Sequence, residues 1–393
     1  MKYFFSAGEA SGDIHAAAVM RELRAIDPEA QFMFLGGDEM AAAAGHAPVI
    51  HYSRMAFMGF IDVARHLPQV LGNLRRAKEA VAEFSPDIFI PVDYPSFNLR
   101  LADYAHGRGI PVHYFIAPKL WAWKEYRIKK MRRCVDRIYS ILPFEPQWFG
   151  ERGVAVDYVG NPSVEEVREA LCHLDGDEAF RREHGLDSRP ILAIVPGSRV
   201  GEIKANLPVM HAVARRHPGV QPLIAGAPAI DPELYASMSD IPVIHASTLQ
   251  LMAVARAALV TSGTASLESA LAGAPQVVCY RSIGSPIAHD LFMHILKIPY
   301  VSLPNLVGGD TDRETRRRVN AEVKRSGVRR DIVPEMLMHH CSVDEVDRQL
   351  SPLLSDTPER KAQLDGYARV AARLSTPAPA AATTARLIYG SLS

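Results

Sequence analysis

A chain of 393 residues exceeds one ordinary domain, so two are expected. Its 44 lysines and arginines balance 44 aspartates and glutamates, which argues against a nucleic-acid protein carried by phosphate contacts; any basic surface is local. The four cysteines, Cys134, Cys172, Cys279 and Cys341, lack the paired spacing of a zinc site or a disulfide framework and fit a reducing cytoplasm, and no apolar run reaches the roughly 18 residues of a membrane span.

In the first half, strand patterns at Tyr3–Ala7, Phe32–Gly36, Asp87–Val92, Pro111–Ile116, Arg137–Leu142 and Val154–Val159 are mostly separated by helical ones. That alternation predicts βαβ units on a parallel sheet. The first strand runs into Ala7-Gly-Glu-Ala-Ser-Gly-Asp13, whose two glycines match neither the dinucleotide fingerprint nor a Walker loop. Either the glycines serve close packing of strand on helix, or Glu9, Ser11 and Asp13 offer sugar-binding groups at the strand's carboxyl end.

The stretch Met55–Lys78 is apolar on one side, with Phe57, Met58, Phe60, Leu67, Val70 and Leu71, and gathers cations toward its end. It suits a helix lying in a membrane interface, with a core-facing amphipathic helix as the alternative. Farther on, Asp93 follows an apolar strand and precedes Pro95, which holds the turn open and leaves a carboxylate at the sheet's carboxyl edge.

Residues 161–190 change pattern and read as the linker into a second alternating half, with strands at Ile191–Val195, Pro222–Ala225, Val243–His245, Ala258–Thr261, Gln276–Tyr280 and Tyr300–Leu303. In Ile191-Leu-Ala-Ile-Val-Pro-Gly-Ser-Arg-Val-Gly-Glu202 a buried-strand pattern enters a tight turn and a helix start near Glu202. Ser198 and the free amides suit an anion at a helix N-terminus, and the Arg199 fork suits phosphate. A second stretch, Ala258–Arg281, reads as strand, turn, helix and next strand and places Ser262, Gly263 and Thr264 at another helix N-terminus, with Glu268 one turn in to accept from a ribose diol. Two such turns suggest a nucleotide diphosphate. The fold expected is α/β, two Rossmann-like domains facing across a cleft: residues 1–165, residues 166–365, and a helical segment 366–393 packing back on the first.

The stretches Ala7–Asp13, Met58–Phe60, Asp93–Asn98, Pro118–Trp123, Leu142–Glu145, Tyr158–Pro162, Pro196–Arg199, Ser262–Ala265 with Glu268, and Tyr300–Asn305 run in order along most of the chain. In them the chain resembles the lipid-A-disaccharide synthases, inverting glycosyltransferases of the GT-B fold. The resemblance implies transfer of 2,3-diacylglucosamine from UDP-2,3-diacylglucosamine to the 6-hydroxyl of 2,3-diacylglucosamine 1-phosphate, giving the β(1→6) disaccharide of lipid A, without metal or other cofactor. It implies that Asp93 is the base, with Glu9 across from it, that the first domain takes the acceptor and the second the UDP-sugar, and that Asn98, Asn305 and Glu335 join the substrate contacts. Ser96 stands where many members carry an acid, and Met338 where the family has Gln.

Expected partners are the two sugar lipids, the cytoplasmic face of the inner membrane through peripheral contact, and, as an option the sequence leaves open, a homodimer; nucleic acid is excluded. Two other readings stay open at this point: a UDP-N-acetylglucosamine 2-epimerase of the same fold, and a non-catalytic nucleotide-lipid sensor.

Overall fold

The computed structural model describes residues 1–55, 67–122, 124–228, 230–245, 248–281, 298–310 and 313–392. It divides into two compact units: Met1–Pro162 with Thr376–Ser393, and Ser163–Ser375.

The first unit is built on a parallel sheet of β1 (Lys2–Ala7), β2 (Gln31–Gly36), β3 (Ile50–His51), β4 (Ile88–Val92), β5 (His113–Phe115), β6 (Arg137–Ser140) and β7 (Asp157–Tyr158), in the order β3-β2-β1-β4-β5-β6-β7. Its central strands are mainly apolar because both faces are covered, and the buried Ser6 of β1 is satisfied by donating to Asn98. Tyr3, Phe5, Ile88 and Ile90 pack with Ala16, Met20 and Leu23 of the Ala10–Ile26 helix. Phe4 and Phe89, one residue out of phase, pack on the opposite face with Val81 and Leu101. The helix Ala380–Gly390 buries Ala385 and Ile388 in the first of these cores, so the end of the chain returns to this unit.

The second unit carries β8 (Ile191–Val195), β9 (Gln221–Ala225), β10 (Val243–Ile244), β11 (Ala257–Val260), β12 (Gln276–Tyr280), β13 (Arg329–Arg330) and β14 (Pro334–Leu337). Their order is β10-β9-β8-β11-β12-β14-β13, parallel except for the β13–β14 pair. The helix Pro358–Leu374 belongs here, because Gln363 and Tyr367 bond Gln276 and Ala274 in the core. The break between units therefore falls at Ser375, beyond the expected 366.

One expected strand is absent. Tyr300–Leu303 does not pair; a helix starts at Leu303 and runs to Gly308 with Pro304 in its first turn, and β14 takes the place beside β12. The cause is a side chain. The Glu335 carboxylate accepts from the Val301 and Ser302 amides at 3.0 Å each and from Ser302 Oγ at 2.6 Å, so those donors are consumed before a ladder can form. Among the described residues no helix is long and apolar enough to cross a membrane.

Candidate functional site

In each sheet the strand order reverses once near the centre, between β1 and β4 in the first unit and between β8 and β11 in the second. Loops leaving the carboxyl ends of such a pair diverge and open a crevice, where ligands of doubly wound sheets bind.

In the first unit the loop after β1 carries Glu9 and Ser11, and the loop after β4 carries Asp93. Asp93 and Tyr94 are consecutive non-glycine residues in the left-handed region, at φ 43° and 47°. Each costs of order 1–3 kcal/mol and persists only where its surroundings impose it. Here three contacts do so. Asn98 Nδ2 lies 2.8 Å from the Asp93 carbonyl oxygen and also within bonding reach of the Ser6 and Val92 carbonyls, joining the ends of β1 and β4. Tyr114 donates its hydroxyl to the same Asp93 carbonyl at 2.6 Å, and burial holds the Tyr114 pKa well above the ordinary phenol range, so it remains a donor. Tyr94 donates to the Met55 carbonyl at 2.6 Å, its ring filling the space a side chain on Gly8 would need.

Held by its backbone, Asp93 presents a half-buried carboxylate. Burial raises its pKa above the usual carboxylate value; the Lys119 ammonium opposes the rise and the Glu9 carboxylate adds to it. A carboxylate pushed upward is a stronger base than an ordinary one, and at a sheet's switch point it is placed to take a proton. Glu9 is half-buried and accepts a hydrogen bond from the exposed Ser11 hydroxyl at 3.2 Å.

Asp13 departs from the expected role. It is buried, and its carboxylate accepts from the Gly37, Glu39 and Met40 amides at 2.6, 3.0 and 3.3 Å, closing the start of the Asp38–Ala44 helix in place of binding sugar. Asn98, expected at a substrate, is fully buried as the clamp just described. Trp121 is core: its indole donates to Glu145 Oε1 at 2.8 Å and its ring meets Phe144 edge-on. Phe57, Met58, Phe60 and Trp123, and the side chain of Leu67, lie outside the described residues. Of the remaining interface candidates Val70 is half-buried and Leu71 is 50% exposed, while Leu74, Ala77 and Val81 farther along the same helix face the core.

In the second unit the loop after β8 turns at Gly197, φ 134°, where a side chain would collide with Glu202. Glu202 folds back on the loop, accepting from the Ser198 amide at 3.1 Å and from Arg199 at 2.8 Å. Its carboxylate thus occupies donors suited to a phosphate, and Arg199 remains half exposed. The loop after β11 turns at Gly263, φ 131°, with open space where a side chain would stand; Thr264 is exposed and Glu268 half-buried one turn on. Ser262 donates to the Val301 carbonyl at 3.2 Å.

Both loops hang on a residue that sequence reasoning missed. Asn206, fully buried, donates to the Glu202 carbonyl at 2.9 Å, lies 3.4 Å from the Pro196 carbonyl and 3.5 Å from the Thr261 hydroxyl, and accepts from the Arg281 amide at 2.8 Å. The first unit's Asn98 has the same role. The available signal was an asparagine on a buried helical face, Asn98 among Phe97, Leu101 and Ala102, and Asn206 among Ile203, Leu207 and Met210. Tyr114 and Lys119 were also missed as neighbours of Asp93.

Asn305 and Glu335 are corrected. Both are fully buried and bonded to each other at 2.9 Å, and Asn305 also accepts from the Ile332 and Val333 amides. They fasten the Leu303–Gly308 helix to β14 and have no surface left for a substrate.

Comparison with known proteins follows the same lines. Over its whole length the chain resembles the UDP-GlcNAc 2-epimerase of Neisseria meningitidis, solved with UDP-GlcNAc, at TM-score 0.58 and 13% identity, covering 100% of this chain and 99% of that one. It also resembles the MurG of Acinetobacter baumannii at TM-score 0.55 and 13% identity, covering 99% of each. At such identity the likeness shows the fold alone, the two-unit α/β architecture of GT-B proteins. Sequence goes further. Lipid-A-disaccharide synthase of Acidobacterium capsulatum is 35% identical over 96% of this chain and 93% of that protein, and the enzyme of Myxococcus xanthus is 36% identical over 94% and 92%. The family model described as lipid-A-disaccharide synthetase matches residues 3–325, and the chain therefore belongs to the lipid-A-disaccharide synthase family of glycosyltransferases.

Proposed function

We propose that the chain moves 2,3-diacylglucosamine from its UDP derivative to the 6-hydroxyl of 2,3-diacylglucosamine 1-phosphate, with inversion and release of UDP. The observation that carries the mechanism is Asp93, a carboxylate with a raised pKa on a clamped left-handed turn at the first unit's switch point. Inversion is a single displacement: the acceptor oxygen bonds the anomeric carbon as its proton passes to a carboxylate, and the bond to the UDP oxygen breaks with its electron pair. Asp93 is the base, and Glu9 is the group to test should Asp93 fail. In the second unit Ser198, Arg199 and the Ser262–Thr264 turn receive the diphosphate, Glu202 gives up its hold on their donors, and Glu268 accepts from the ribose hydroxyls.

The 2-epimerase reading rests on likeness of fold at 13% identity, which carries no activity, whereas relatives at 35 and 36% identity bear the synthase name. A mass-spectrometric assay tests the choice. UDP-diacylglucosamine supplied with the monosaccharide 1-phosphate yields disaccharide; a donor-derived product of unchanged mass and inverted C2 would instead mark an epimerase, and binding without turnover a sensor. The donor site has its own check. Replacing Glu268 by Ala weakens UDP binding by about 1.5–3 kcal/mol, the worth of hydrogen bonds to a charged group, with the fold intact. Calorimetry giving unchanged UDP affinity removes Glu268 from the site.

Peripheral contact with the inner membrane and a homodimer belong to the same proposal. Substrates with two acyl chains each call for an apolar approach, and half-exposed Leu71 is followed on its helix by Arg75, Arg76 and Lys78, cations placed for anionic lipid. Replacing Phe57, Met58 and Phe60 by Ser lowers binding to anionic vesicles and spares activity on short-chain substrates. Unfolding of that triple variant would assign the three residues to the core.

A further inference from the structure

The second unit has a cavity at the edge of its sheet opposite the nucleotide loops. Its walls come from Pro190 and Ile191 at the start of β8, from Val254–Arg256 just before β11, and from Arg181, Ser188 and Arg360. Its volume is about 330 Å³, room for several waters at about 30 Å³ each. Three of the lining residues are arginines and none is acidic.

Each guanidinium is anchored on one side and open on the other. Arg181 holds Asp177 through Nε and the Asp187 and Arg189 carbonyls through Nη1. Arg256 holds the Leu354 carbonyl through Nε and Asp356 through Nη2. Arg360 holds the Arg256 and Leu353 carbonyls through Nη1. Among the described residues, Arg181 Nη2, Arg256 Nη1 and Arg360 Nη2 have no hydrogen-bond partner. Asp177 and Asp356, the counter-charges, are 52% and 89% exposed and so screened by water, while the three arginines are only 14–26% exposed. Burial, and next to it the Arg256 charge, lowers the Arg360 pKa; the exposed Asp356 carboxylate, 3.9 Å from Arg360 Nε and paired with Arg256, offsets part of that repulsion, and an anion between the two arginines would relieve the rest.

We propose that this cavity binds a phosphate-class oxyanion, free or as the phosphoryl group of a small phosphomonoester, through the three open guanidinium nitrogens and the Ser188 hydroxyl. Planar forks with unused donors, around a space without a carboxylate, match the several acceptor oxygens of such an ion. The ion ties the segment before β8 to the start of β11 and the Pro358–Leu374 helix, and so stabilises this unit.

The test is thermal unfolding and calorimetry with inorganic phosphate and with glucose 1-phosphate. It uses an Arg199→Ala background, which takes the half-exposed guanidinium of the opposite edge out of play. At ten times the dissociation constant the ratio of folded to unfolded protein rises about tenfold, read as a higher Tm. Two variants locate the effect. Ser188→Glu brings a carboxylate to the cavity from an exposed loop position without touching an arginine, and Arg256→Gln removes one open donor; each abolishes the anion-dependent rise in Tm, whatever its own starting Tm. Protection by both probes supports a site open to phosphomonoesters, and protection by inorganic phosphate alone supports one closed to all but the free ion. Protection by neither, or protection that survives in both variants, overturns the proposal.

Discussion

Asp93→Asn is expected to lower turnover by roughly 10²–10⁴-fold, the range for loss of a positioned general base, while UDP affinity and Tm stay close to wild type. Asparagine is the appropriate replacement because residue 93 sits at φ 43°, a region asparagine tolerates better than alanine, and because the carbonyl held by Asn98 and Tyr114 is backbone and survives the change. The variant therefore separates loss of the base from loss of the turn. Its pH dependence follows from the causes of the shift. The base acts when ionised, and burial raises its pKa, so wild-type kcat/KM falls on the acid side along a limb displaced upward from the ordinary carboxylate range; the Asn variant lacks that limb. Glu9→Gln removes one of the causes that raise Asp93, so the limb moves to lower pH with turnover largely kept. Near-normal turnover in Asp93→Asn together with collapse in Glu9→Gln would transfer the role to Glu9.

Sequence pattern alone exposed the strands whose runs are apolar or nearly so, because burial on both faces admits a polar residue only where the core bonds it, as it does Gln276: β8 and β12 lie where Ile191–Val195 and Gln276–Tyr280 suggested. The turns after β1, β4, β8 and β11 were legible for a related reason, since glycines and polar residues directly after such runs mark the carboxyl edge. Tyr300–Leu303 looked like a strand from its aromatic and branched residues, yet its backbone donors go to Glu335, a partner far along the chain that no local pattern reveals.

The same blindness explains Asp13, Asn98, Asn305 and Glu335. A polar residue in a motif has one appearance whether it faces a substrate or satisfies buried backbone, and only the fold says where its bonds go. All four turned inward: Asn98 braces the turn from which Asp93 projects, and Asp13 fastens the turn after β2.

Glu145 is the other carboxyl near Lys119, and its effect is on stability. It is fully buried, with Oε1 accepting from the Trp121 indole and Oε2 without a partner among the described residues, and burial pushes its pKa from 4.5 up to about 8 against the opposing Trp121 bond and Lys119 charge. A carboxyl raised in the folded state is protonated there at neutral pH and ionised in the unfolded chain, so folding takes up a proton. Its stability is fully present below the unfolded value and is lost as pH rises from 4.5 through about 8. At about 1.4 kcal/mol per unit this amounts to a few kcal/mol.

Glu145→Gln keeps the acceptor for Trp121 and cannot ionise. In urea titrations from pH 5 to 9 the wild-type midpoint is expected to fall with pH relative to the variant, the gap opening by about 2–4 kcal/mol and levelling above the folded pKa. The local consequence bears on catalysis. Trp121 docks the segment that carries Lys119, which is flanked by left-handed Ile116 and Lys124 at φ 62° and 55°; the Trp121 bond and the Lys119 charge favour ionised Glu145 but burial outweighs them, so the ionised carboxylate is relieved by letting water into the dock, which loosens the segment that holds the cation beside Asp93. Wild-type turnover should therefore decline above about pH 8, and Glu145→Gln should extend its plateau to higher pH. Parallel stability profiles for the two proteins across this range would show that Glu145 folds already ionised, and would remove it as the origin of any alkaline loss.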